Sequence, residues 1–185
     1  MGNVVKKRVH NEGASPISEF VSRAQAGDSS AYTDLIEATQ SRLFRFCLTL
    51  TGDRVLSEDL CQDAYIKVLA RIGSLEKPGA FMDWLFRITR NLYLDHIRSG
   101  QARETELDEA AMESRDPRSA DLAEVMSIHR ALAQIEPEDR WLLLLVDLEE
   151  RSYQEAAEAL GVSEDSVRSR LFRLRKQFVE QWKKT

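Results

Sequence analysis

The sequence predicts an all-α protein: two small helical domains joined by a flexible acidic linker. Three observations predict it. Apolar residues recur at helical spacing through most of the 185 residues. Gly and Pro are scarce, at 8 and 4, too few for the turns of a many-stranded sheet. Between two patterned segments, residues 100–120 are polar and acidic with little periodicity, as expected of a linker. Hydrophobic residues make up 43% of the chain, enough for a core. No apolar run approaches the roughly 20 residues of a membrane helix. The longest, Trp141 to Val146, stops at Asp147.

Residues 1–15 read as a disordered tail. The first domain spans 16–99. Phe20, Val21 and Ala24 share a helical face that ends at Gly27-Asp28, and Ser29 or Ser30 is placed to cap the next helix. Tyr32, Leu35, Ile36, Leu43, Phe44, Phe46, Cys47 and Leu50 continue that helix to Gly52-Asp53. Ser57 is expected to cap a third helix, with Glu58 and Asp59 in its first turn, where acids suit the helix dipole. Gly73 and Pro78-Gly79 bracket a loop before a helix over about 80–97. The second domain, 121–185, shows helices over about 122–132, 138–148, 152–160 and 164–182.

The net charge of −5 argues at first against a nucleic-acid partner, but the charge is unevenly spread. From Arg168 to Lys184 there are seven basic residues against Glu180 alone. From Glu104 to Glu124 there are eight acids against two arginines.

The most informative segment is 152–176. Ser152 and Glu155 have capping-box spacing. Ala157 is small where two helices must cross, and Gly161 can take the positive φ of a tight turn. Val162 and Val167 are expected to lock the two helices, and Ser163 to cap the second. This spacing describes a helix-turn-helix, whose second helix reads the DNA major groove. With Val167, Leu171 and Leu174 buried, Arg168, Ser169, Phe172 and Arg173 face outward. Arginine can pair bidentately with a guanine edge, and a ring or hydroxyl can read its neighbours. Arg170, Arg175 and Lys176 are placed for phosphates. Ser152 and Tyr153, opening the preceding helix, are assigned to the same surface.

The run from Tyr153-Gln154-Glu155-Ala156-Ala157 to Ser166-Val167-Arg168-Ser169-Arg170-Leu171-Phe172-Arg173 resembles region 4 of the extracytoplasmic-function (ECF, group 4, sigma-E-like) bacterial sigma factors. Residues 57–65, SEDLCQDAY, look like that family's acidic core-binding helix. Phe81 to Asn91, with Asp95 and Arg98, looks like its −10-reading segment in region 2. The resemblance covers about residues 17–182.

It implies a protein that binds core RNA polymerase and directs promoter-specific initiation by reading −35 and −10 elements. Asp59, Gln62 and Asp63, on one helical face, would dock on the β′ coiled coil, and region 4 on the β flap. Asn91 matches the family's −10 contact. Phe81 and Trp84 would wall a pocket for a flipped base, Arg87, Arg90 and Arg98 would hold phosphates, and Lys77 would complete the pocket from its loop. The linker would thread toward the polymerase active site. An anti-sigma factor is an expected partner. Cys61 and Asp63 depart from the family's usual small polar residue and glutamate.

An enzyme is not expected. His10, His96 and His129 are scattered, the two cysteines lack metal-ligand spacing, and there is no phosphate loop or nucleophile elbow. No cofactor or metal is expected, nor membrane insertion. The chain lacks a secretory signal and reads as a protein of the bacterial cytoplasm. From the residues alone, a stand-alone helix-turn-helix regulator and a helical adaptor also remain open.

Overall fold

The computed structural model describes residues 16–99 and 122–184, with backbone only over 122–127. The expected tail at 1–15 and linker at 100–120 lie outside the described residues. Among the described residues there are helices and no strand. In order they are α1 (Pro16–Gln25), α2 (Ser29–Thr51), α3 (Arg54–Arg71), two 3₁₀ turns (Ile72–Ser74 and Pro78–Ala80), α4 (Phe81–Arg98), α5 (Leu122–Ala133), α6 (Pro137–Asp147), α7 (Tyr153–Leu160) and α8 (Glu164–Trp182).

Two helix starts differ from expectation. Asp28, not Ser29 or Ser30, caps α2, its carboxylate accepting from the Ser30 amide. The Ser30 hydroxyl and Arg23 also bond that carboxylate, and together they hold its pKa down at about 2. Asp53, not Ser57, caps α3 and accepts from the Leu56 amide, so the helix begins three residues before Ser57. Ser57 is buried instead. Its hydroxyl bonds the Asp53 carbonyl at 2.5 Å and the Thr51 hydroxyl at 2.8 Å. An extended Asp just after a left-handed Gly52 cap can both close one helix and open the next.

The α2–α3 hairpin packs on α1 and α4. Phe46 and Phe86 meet at 4.8 Å between ring centroids, with Phe81, Leu85 and Tyr93 buried beside them. Each such ring contributes roughly 1.5–3 kcal/mol by leaving water. Cys47 and Cys61 face each other across the hairpin; that hydrogen bond and burial push the Cys47 thiol up, so it is a poor nucleophile.

Helix α6 is buried on every side: Trp141, Leu142, Leu143, Leu144, Leu145 and Val146 are all in the core. A helix with no solvated stripe must be covered all round. Here α5, α7 and α8 form the C-terminal unit around it, and α2 and α4 of the N-terminal unit pack on its other face, with α7 also reaching α4. The two helical units therefore share one contiguous core.

Candidate nucleic-acid interface

The helix-turn-helix is built as its spacing implies. Ser152 accepts from the Glu155 amide, and the Glu155 carboxylate accepts from the Ser152 amide at 2.7 Å. Ala156 and Ala157 are buried at the crossing. Gly161 sits at φ 69 and its amide returns to Ala157. Ser163 caps α8 by accepting from the Ser166 amide. Val167, Leu171 and Leu174 are buried. Val162, expected to lock the two helices, is 44% exposed, so Val167 with the two alanines makes that contact.

On the outer face of α8, Arg168, Ser169, Phe172 and Arg173 are all exposed, Phe172 to 73%. Val179, exposed on the same helix, joins Phe172 in an apolar patch among basic side chains. The patch lines a cleft of about 610 Å³ with Tyr153, Arg168, Arg175, Lys176 and Lys183 around it. Arg168 is drawn back onto Glu164 and Asp165 of its own helix. Arg173 has no ion pair among the described residues. Arg175 is tied inward, bonding Asp147 at 2.6 Å and the Tyr153 hydroxyl at 3.0 Å; these bonds raise its pKa, Asp147 first. Arg170 pairs with Asp139 and Glu138. Lys176 is exposed beside Glu180, and Ser152 is committed to its cap.

On α4, Trp84, Arg87, Asn91 and Arg98 fall along one stripe. Arg87, Asn91 and Arg98 are exposed and Trp84 half-buried. Lys77 is exposed just before the second 3₁₀ turn. Phe81 is fully buried and meets Trp84 edge-on at 6.3 Å, so it backs the Trp rather than offering a stacking face. Arg90 lies off this stripe. It pairs with Glu138, lies over the Trp141 ring at 5.6 Å, and has its pKa lowered by burial and by nearby Arg170 and Arg98.

Asp59, Gln62 and Asp63 are exposed and line a cleft of about 440 Å³ between α3 and α4 with Leu92, Asp95 and His96. Ile66, at 55% exposure, and Leu69, at 46%, extend this face, whereas Tyr65 and Val68 are buried. Leu69 was missed by the sequence reading, although it continues the Asp59, Gln62, Ile66 spacing. Also missed were the partners that join the two units: Arg42 with Glu149 at 2.5 Å, and Arg151 with Asp83 at 2.9 Å. Arg140 donates across to the Leu50 carbonyl at 3.1 Å. Six apolar residues in unbroken succession at 141–146 were the available signal that α6 needs cover on all sides. Among the described residues no His, Cys, Asp or Glu cluster could hold a metal, and no helix is long and apolar enough to cross a membrane.

Comparison with known proteins agrees with this layout. Residues 35–103 match the family model for sigma-70 region 2, and residues 125–178 that for sigma-70 region 4. The chain is 33% identical over 161 residues to the ECF RNA polymerase sigma factor SigE of Mycolicibacterium smegmatis, covering 82% of this chain and 62% of that protein. It is 30% identical over 158 residues to SigM of Mycobacterium tuberculosis, covering 85% of this chain and 80% of SigM. It spans between 40% and 62% of the length of the first curated relatives it matches. In fold it is similar to the sigma factor RpoE solved with the anti-sigma factor NepR from Bartonella quintana, at TM-score 0.66 and 23% identity, covering 82% of this chain and 96% of that one. With two sigma-70 segments in their proper order, on a fold shared with a known sigma factor, the chain belongs to the ECF RNA polymerase sigma factors.

Proposed function

We propose that this protein binds core RNA polymerase and directs it to promoters. In this reading α8 recognises the −35 element and α4, with the loop at Lys77, recognises the −10 element. The observation that carries it is the outer face of α8: Arg168, Ser169, Phe172 and Arg173 stand exposed over a fully buried stripe, on a helix fixed by two caps and a left-handed glycine. Arg173 and Phe172 read base edges; Lys176, Lys183 and Lys184 hold phosphates. Trp84, Arg87 and Asn91 supply a stacking surface and polar groups for a splayed base. Asp59, Gln62 and Asp63 dock on the β′ coiled coil, with Ile66 and Leu69 adding apolar contact, and the C-terminal unit engages the β flap. Carboxylates on one helical face suit arginines of a partner helix. Phosphoryl transfer belongs to the polymerase. The protein works in the bacterial cytoplasm, and an anti-sigma factor, as in the RpoE–NepR complex, would restrain it.

The test is run-off transcription by bacterial core RNA polymerase on a genomic promoter library, with and without the protein. Discrete new transcripts that share −35 and −10 sequences are expected. DNA binding by the protein alone, without new transcripts, would instead identify a stand-alone regulator.

A further inference from the structure

Both DNA-facing helices have an arginine that is already occupied. Arg90 of α4 and Arg170 of α8 converge on the first turn of α6, where Glu138 pairs with Arg90 through one oxygen and lies 3.7 Å from Arg170 through the other. Asp139 pairs with Arg170 as well. The two guanidinium groups are close enough for Arg170 to lower the pKa of Arg90, so these carboxylates screen a repulsion between the units. Both acids lie in the first turn of α6. Further along the same contact, Glu155 and Glu158 of α7 close a cleft of about 140 Å³ against Trp84 and Arg87. Carboxylates thus stand where nucleic-acid phosphates would approach α4.

The contact is also imperfectly satisfied. Among the described residues, the buried atoms Arg90 Nε, Arg140 Nε, Trp141 Nε1 and Glu149 Oε1 have no hydrogen-bond partner, while Arg151 Nε is held only by its ion pair with Asp83. All five residues lie where the two units meet. A permanent core rarely leaves such groups unpaired, whereas an interface that opens can return them to water.

We infer that this arrangement is a self-inhibited state, in which Glu138 and Asp139 clasp Arg90 and Arg170 and hold the two DNA-reading units closed until polymerase and promoter DNA compete for them. The inference rests on the proposed DNA-reading roles of α4 and α8. Opening frees α4, restores Arg170 to the face of α8, and separates Glu155 and Glu158 from Trp84.

The experiment compares the full chain with E138Q/D139N, which keeps side-chain shape and removes the charge. Two quantities are read at low salt: overall dimensions by small-angle X-ray scattering, and affinity of the free protein for a promoter duplex. Loss of three partly exposed ion pairs, with Arg90 and Arg170 left to repel, should expand the molecule and tighten DNA binding about tenfold. Transcription with saturating core polymerase should be unchanged, because the clasp is already open there. R42Q is the second variant, used if the first does not fold. It strands the buried Glu149 at the far end of the interface and touches neither DNA-reading helix, so it should open the molecule equally. A folded variant as compact as the wild type, binding DNA no more tightly, overturns the inference. If wild-type protein gives no transcripts while the variants still open and bind DNA more tightly, the polymerase role fails and the clasp stands.

Discussion

Gly161 permits a test in which sterics and backbone conformation separate. It closes α7 at φ 69 and ψ 33, and both its own amide and that of Val162 bond the Ala157 carbonyl. A Cβ placed there meets nothing within 4 Å. Any penalty of Gly161→Ala is therefore conformational. Holding an L-residue in the left-handed region costs about 1–2 kcal/mol. Loss of glycine's freedom in the unfolded chain returns about 0.4–1 kcal/mol. The net expectation is a loss of about 1 kcal/mol. Asn tolerates this region better, so Gly161→Asn should lose less than Ala despite its larger side chain. Urea unfolding, followed by far-UV circular dichroism, reads the shift in midpoint at constant slope. Because Gly161 sets the angle between α7 and α8, affinity for a −35 duplex should fall in the same order, Ala below Asn below wild type. If Ala were as stable as glycine, or Asn worse than Ala, the left-handed cap would not be what this position requires.

Three further outcomes are expected. Arg173→Ala should lose −35 discrimination worth roughly 1–3 kcal/mol with an unchanged melting temperature; unaltered promoter choice in a binding-site selection would remove it from the reading set. Asp59→Ala combined with Gln62→Ala should weaken binding to core polymerase without altering the helical spectrum, since both side chains are exposed; wild-type affinity in a pull-down titration would refute the docking face. Burial raises Tyr65 to about 12, against a hydrogen bond with Thr39 that acts the other way. The folded state then keeps a proton that the unfolded chain releases above about pH 10. Stability should accordingly fall by about 2 kcal/mol as pH rises from 10 to 12. Tyr65→Phe should flatten that decline in urea midpoints, and an equally steep decline would reject the assignment.

Much of this was legible because helices announce themselves locally. The Ser152–Glu155 capping box, Gly161 and the Val167, Leu171, Leu174 stripe all depend on neighbours within a few residues, and each appears as expected except Val162. Helix starts were harder where two capping residues compete: Asp53 and Ser57 both have the right chemistry, and only the Gly52 turn decides between them. The contact between the two units was not legible. Arg42 meets Glu149 across 107 residues of chain, and Arg90 meets Glu138 across 48. An arginine bound for phosphate and one bound for a distant carboxylate look alike in sequence. The unbroken apolar run at 141–146 hinted that something covers α6, without naming α2 and α4.

The order of these partners along the chain has a consequence in time. Glu138 follows Arg90 by 48 residues, and α7 comes later still. At roughly 5–20 residues per second, a ribosome needs about 2–10 s to add the acids that cover α4 once Arg90 has been made. The N-terminal helical unit is thus complete before its cover exists. Each newly made molecule passes through an interval in which Trp84, Arg87 and Arg90 are all open, and only the finished chain can close on itself.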